Sequence, residues 1–491
     1  NPGKHGVYGF YGYENGSYET SLVTGRSVRA KRFWEYLDRE RIGLVDIPMT
    51  FPPQEINGYM ISGEPVPSSE SIFTYPPELH TEIIRKVGDY MIEKAAAIAY
   101  SQTKNLIEAV ELLYRVTEIR RNTALYLLTE KGPFDCFCAV YHGTDWIQHG
   151  AFKFLDEVYC KANPEKCAKY KALIFQYYEE MDAMLAELIK AMGEDAVVIV
   201  LSDHGGAPME KQFYVNRWLK QEGFLELNRW AWPDGIRLQK EPLAALLQGA
   251  GVGPLNRLLP SPLQRMPIPY VSLQKAPPTI DWGRTKAFSS RSWTDGVIRI
   301  NLEGREPLGI VPQRKYEELR GDIIARLLAL RDPETGEPVV EAAYKREEVY
   351  HGPYVEDAPN ILVLAKNDRD GFSPALHDGA ILERPIDPDC RHQMDGIFMV
   401  KGSDIKTGRM LAGLNIVDVA PTVLHLLEKP IPDDMDGKVI IEAMEEEDLA
   451  ASPPRYFRVG DAHMPKGHDQ VFTAAEQERI ETSLRALGYI E

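Results

Sequence analysis

The chain has 491 residues, a net charge of −17, 44% hydrophobic and 26% charged residues. This is an ordinary globular balance, with enough chain for two or three domains or one large α/β enzyme. The acidic excess excludes duplex nucleic-acid binding, which needs a basic footprint, and it makes any anionic substrate depend on a local cation.

The Gly- and Tyr-rich start, GVYGFYGYENGSYE, reads as a loop. Residues 32–41 show an amphipathic helix pattern with Phe33, Trp34 and Leu37 on one side. IGLVDIP, 42–48, reads as a buried strand, followed by a Pro-rich loop over 51–67. A long helical stretch is expected over 77–131, broken near Ser101. FDCFCAVYH, 134–142, reads as a central strand, 165–192 as a helix, and AVVIVLS, 196–202, as a second apolar strand. This order predicts a parallel sheet with helices on both faces.

From about 228 to 279 the rhythm is lost in Pro, Leu and Gly. Nearby Trp230, Trp232, Trp282 and Trp293 read as the core of a small subdomain or as part of a lid. Pattern returns with VIRINL, a helix over 313–331, NILVLAK, GIFMVKG, a helix over 417–427 and a last helix over 474–487. The expected organisation is an α/β fold in four parts. Residues 1–227 and 281–450 form the catalytic core, 228–280 an irregular insertion or cap, and 451–491 a tail with a helix.

Five cysteines (Cys136, Cys138, Cys160, Cys167 and Cys390) show no regular spacing, and the odd count points to a reducing, cytoplasmic setting. Cys160 and Cys167 flank a short polar loop and are a candidate pair. No apolar run reaches the length of a membrane span.

Ligands in doubly wound sheets bind just past the carboxyl ends of strands. Gly143-Thr144-Asp145-Trp146-Ile147-Gln148-His149 follows one such end. A helix starting there puts Asp145 and His149 on one face, one turn apart, and a carboxylate with an imidazole suits zinc. Alone, the pair reads equally as a helix-start Asp and a surface His. Ser202-Asp203-His204-Gly205-Gly206 follows the next strand, its glycines expected to give a sharp turn and space near a ligand. The bland reading is an Asx turn at Asp203. His392, in RHQMDG before GIFMV, is by itself more often structural than a ligand.

GTDWIQHGAFKFLD, VIVLSDHGG and RHQMDGIFMVKGSDIKTG, with NPGKHGVYGF, IDWGRTKAF, VDVAPTVLHLLEKPIPDDMDG and LRALGYIE, resemble the alkaline phosphatase superfamily in order and spacing. They look most like its prokaryotic type I phosphodiesterase/nucleotide pyrophosphatase branch. The resemblance implies an alkaline-phosphatase-like core with a mostly parallel central sheet. It implies two divalent metal ions, zinc first, with manganese or iron able to use the same ligands. Asp145, His149 and His392 would hold one ion, and Asp203 and His204 the other. It also implies an Asp and a Thr or Ser nucleophile upstream of NPGKHG. The chain opens within that motif and without Met, so both, and any targeting segment, are expected upstream of Asn1.

The pyrophosphatase branch places an Asn after the nucleophile loop, whereas Gly6-Val7-Tyr8-Gly9-Phe10 has none; Lys4 and His5 sit nearby. The implied substrate is a small phosphate ester or nucleotide-like molecule, hydrolysed at a phosphodiester bond, by a protein compatible with a homodimer. Phosphomonoesterase, phosphonate hydrolase or phosphoglycerate mutase chemistry is the alternative within the superfamily. A catalytically inactive binding protein of the same fold is the alternative outside enzymology.

Overall fold

The structure is a computed structural model that describes all residues except 14–16, 19, 89, 91–104, 229–279, 291–295, 461–470 and 487–491. The expected cap, with Trp230 and Trp232, and also Trp293, therefore lie outside the described residues.

The fold is α/β. One sheet has the strand order Thr74–Tyr75, Gly58–Ser62, Ile42–Ile47, Cys136–Ala139. The last three strands are parallel and Thr74–Tyr75 is antiparallel. Ile42–Ile47 is apolar from Ile42 to Val45 because both faces of this sheet are covered, with Asp46 following near its carboxyl end. Val45 and Ile61 pack in one cluster with Leu79, Ile83 and Leu127 from the helices. Ile42, Leu44 and Met60 pack in another with Trp34, Leu37 and Leu424.

The expectation of one mostly parallel central sheet is not confirmed: beyond these three, strands among the described residues pair in parallel only in short ladders, Gly371–Ser373 with Gln212–Tyr214 and Ile431–Pro432 with Tyr456–Phe457. A second four-stranded sheet, built from Ala287–Phe288, Gly296–Ile300, Ile361–Ala365 and Val340–Lys345, is antiparallel throughout. The helix Gln313–Ala329 covers it through Ile323 and Leu327. Val198–Leu201 pairs antiparallel with Phe398–Lys401, and Gly205–Pro208 pairs antiparallel with Cys390–Gln393. These two ladders join segments nearly 200 residues apart in the sequence, which a local reading of strand order does not foresee.

Other expectations need correction. The 32–41 pattern yields only the 3-10 turn Phe33–Tyr36. Trp34 and Leu37, three apart, still bury on one side, and one tight turn suffices for that. The loop of 51–67 contains the strand Gly58–Ser62, whose Pro-rich flanks hid a short apolar run. Within 77–131 the helix Glu78–Val87 stops at Gly88, with φ 102°, and Leu106–Tyr126 starts from an Asn105 cap, while the expected break near Ser101 lies outside the described residues. The helix Pro164–Met192 forms as expected, with Tyr177, Met184 and Leu188 buried. Trp282 stacks on Tyr18 at 3.8 Å and packs against the core cluster that includes Phe288 and Ile298. Among the described residues, no helix is long and apolar enough to cross a membrane. Cys160 and Cys167 form a disulfide. This pairing removes the basis of the odd-count argument for a reducing compartment.

Two buried ionic groups brace the layers. Asp46, at φ 59°, pairs with Arg120, and both side chains are buried. Lys211 Nζ meets Asp332 at 2.5 Å and Glu334 at 2.6 Å, while its backbone N–H donates to Asp370 Oδ1 at 3.1 Å. Burial, with Glu210 nearby, pushes the Asp370 carboxyl up to about 6. A carboxyl raised in the folded state binds its proton more tightly there than in the unfolded chain. Its contribution to stability is therefore full at acid pH and is lost as pH rises from about 4 to about 6. Asp370→Asn keeps the acceptor for Lys211 and has no proton to lose. Denaturant titrations across this range should show that the variant lacks this loss, gaining at most about 2–3 kcal/mol at neutral pH.

Candidate metal centre

The helix Gly143–Ala151 starts just past the strand Cys136–Ala139. It presents Asp145 and His149 on one face, with His149 Nε2 3.5 Å from Asp145 Oδ1. The antiparallel ladder of Gly205–Pro208 with Cys390–Gln393, and the residue just before it, supply the other groups. Its register sets His392 opposite Gly206, and His204 immediately precedes Gly205–Pro208. His204 stacks on His392 with ring centroids 3.7 Å apart.

Donor atoms converge from all three segments. His392 Nε2 lies 3.4 Å from Asp145 Oδ1 and 3.0 Å from His149 Nε2. His204 Nε2 lies 3.9 Å from Asp145 Oδ1. One ligand atom from each of Asp145, His204 and His392 falls within a 4.8 Å set. Asp203 sits at the margin, its side chain 76% exposed and its Oδ2 3.7 Å from His204 Nε2. The structure thus brings Asp145, His149, His204 and His392 together, with Asp203 beside them. The two groups expected from the sequence share Asp145 as their common neighbour.

These separations fit a metal ion. Bonds of about 2.0–2.1 Å in a tetrahedral zinc site put neighbouring donors roughly 3.3 Å apart. The three separations among Asp145 Oδ1, His149 Nε2 and His392 Nε2 are 3.5, 3.4 and 3.0 Å. The donor set, imidazole nitrogens with carboxylate oxygens, also suits zinc, manganese or iron.

Glycines let the elements approach. Neither Gly205 nor Gly206 has the positive φ that a sharp turn would need, contrary to the sequence expectation. They lie in a strand, and their lack of a side chain serves packing. A Cβ at Gly205 would run into the backbone oxygen of Asp395, and one at Gly206 would meet Gln148 Oε1 and, at 2.8 Å, Cys390 Sγ. Further contacts fix the geometry: Gln148 Nε2 donates to the Tyr178 hydroxyl at 3.0 Å, and Arg369 pairs with Asp156 at 2.8 Å while donating to the Pro208 carbonyl at 2.9 Å.

One partner escaped the sequence reading. Asp389 Oδ1 lies 3.0 Å from His149 Nδ1. Its only signal was a pair of acidic residues in DPDCRH just before His392. Burial disfavours the His149 cation, but the hydrogen bond to Asp389 and the charge of Asp145 outweigh it, and its pKa is raised. Beside the centre, Asp46, Ser62, Glu64, Tyr90, Arg120 and His142 line a small cavity at the carboxyl ends of the parallel strands. His142 also precedes the helix that carries Asp145.

The family model for type I phosphodiesterase / nucleotide pyrophosphatase matches residues 1–373. The chain belongs to this family. Type I phosphodiesterases and nucleotide pyrophosphatases are metal-dependent hydrolases, which supports a phosphodiesterase-type hydrolase here. The chain is similar to human ectonucleotide pyrophosphatase / phosphodiesterase 5 at 12% identity and a TM-score of 0.40, over 86% of this chain and 76% of that one. Its murine counterpart matches at 10% identity and a TM-score of 0.40, over 87% and 80% of the two chains. A search of curated protein sequences returned no match.

Gly205→Ala should push the strand Gly205–Pro208 away from the Asp395 backbone. An overpacking cost of about 1–3 kcal/mol in chemical denaturation is expected, because backbone must move. Gly304→Ala, at a position with open space but φ 82°, provides a comparison for strain without a clash.

Proposed function

We propose that this protein hydrolyses phosphodiester or related phosphate-ester bonds in small, nucleotide-like molecules at a two-metal centre built on Asp145, His149, Asp203, His204 and His392. The observation that carries this reading is the convergence of Asp145, His149 and His392 at 3.0–3.5 Å, spacing that suits one shared cation. Family membership supplies the reaction class.

Divalent cations bound there would neutralise charge on the transferring phosphoryl group and lower the pKa of an attacking hydroxyl. The protein's own residues hold the cations and fix the position of the substrate. Asp145, His149 and His392 form one set of donors. Asp203 and His204 contribute to the second, with a Thr or Ser hydroxyl as nucleophile. The exposed side of Asp203 leaves room for an incoming ester. With a net charge of −17, the chain repels anions at long range, so attraction of a phosphate would depend on the charge of the cations held here.

A chromogenic aryl phosphodiester, assayed with the full-length protein in zinc buffer, tests the reading. His392→Ala should cut turnover by at least about a hundredfold, since a centre that loses one of three ligands no longer holds its ion in place. Turnover equal to the wild type would remove His392 from the machinery. A preference for monoesters or phosphonates would move the protein to another chemistry of the superfamily.

A further inference from the structure

The stretch 387–389 crosses the helical segment that carries the centre and touches it at two points one helical turn apart. Asp387 Oδ1 meets Lys153 Nζ at 2.5 Å, and Asp389 Oδ1 meets His149 Nδ1 at 3.0 Å. The second contact has a definite chemical sense. A carboxylate only accepts, so Nδ1 of His149 carries the hydrogen and donates it. Nε2, on the far edge of the same ring, then keeps its lone pair. That atom lies 3.5 Å from Asp145 Oδ1 and 3.0 Å from His392 Nε2.

Asp389 is itself held firmly. Its Oδ1 also accepts from the Cys390 backbone N–H at 2.7 Å, and its carbonyl accepts from the Met209 N–H at 2.8 Å. It thus stands at the end of the ladder in which Cys390 pairs with Pro208. Oδ1 is turned to His149 Nδ1, the ring edge opposite the donor cluster. The geometry points to Asp389 as a positioning residue: it fixes the tautomer and ring plane of His149 so that Nε2 is presented to the cation, and it couples that ligand to the strand bearing His392. This inference rests on the metal-centre reading and adds to it a residue outside the ligand set. A ligating histidine held by a carboxylate in this way gains basicity and loses rotational freedom, and removal of such a partner typically weakens metal binding 10–100-fold.

The experiment measures zinc affinity directly, by competition with a chromophoric chelator, in the full-length wild type and in three variants. Asp389→Ala removes the acceptor and should weaken zinc binding about 10–100-fold. Asp389→Asn keeps an oxygen that accepts from both the Cys390 N–H and His149 Nδ1, and it should recover most of that loss. Asp387→Ala loosens the same stretch without touching His149 and should stay near the wild-type affinity. Wild-type affinity in Asp389→Ala overturns the inference, as does an equal loss in Asp387→Ala, which would mean that anchoring of the loop is what matters. A wild-type protein that binds no zinc, manganese or iron would instead overturn the metal-centre reading itself.

Discussion

Two imidazole nitrogens 3.0 Å apart, with a carboxylate oxygen within 3.5 Å of both, are the constraint on which the site depends. Lone pairs do not face one another at that distance without something positive between them. Either a proton is shared between the rings or a cation binds all three groups. Burial opposes charge on His149, yet the hydrogen bond to Asp389 and the charge of Asp145 raise its pKa. Much of the local structure serves this convergence. The helix Gly143–Ala151 supplies two donors, the ladder of Gly205–Pro208 with Cys390–Gln393 sets His392 beside His204, and Arg369 ties the turn after the helix to that ladder.

The supporting architecture is divided according to what each part must do. The three parallel strands pack against core clusters on both faces, with Cys136–Ala139 half-buried, and carry the helix to the site from a rigid base. The antiparallel ladders bring in ligands from distant sequence. An acidic chain can hold this centre because the negative charge is spread over the whole molecule, while the imidazoles and two carboxylates are concentrated at one place.

Much of this was legible in the sequence. Apolar runs bounded by Gly and Pro located the strands around 42–47, 136–139, 198–201, 361–365 and 398–401, and the 3.6-residue period located the helices around 164–192 and 313–329. Asp145 and His149 were readable as one face because four residues make one turn. What escaped was set by distant contacts. The pairing direction of Val198–Leu201 depends on Phe398–Lys401, and no local pattern encodes that partner. Gly205 and Gly206 announced a tight feature, but only the packed structure shows that it is a close approach and not a turn. Asp389 looked like any loop acid, because its meaning comes from a histidine 240 residues earlier.

The central claim is that Asp145, His149 and His392 surround a cation, with a second held by Asp203 and His204. Anomalous diffraction at the zinc edge, from crystals of protein purified without chelators and supplied with zinc, tests this most directly. The account predicts a peak about 2.0–2.1 Å from the donor atoms of Asp145, His149 and His392, and a second peak beside Asp203 and His204. Well-ordered side chains at this centre with no anomalous peak among them, or peaks only elsewhere on the molecule, would contradict it.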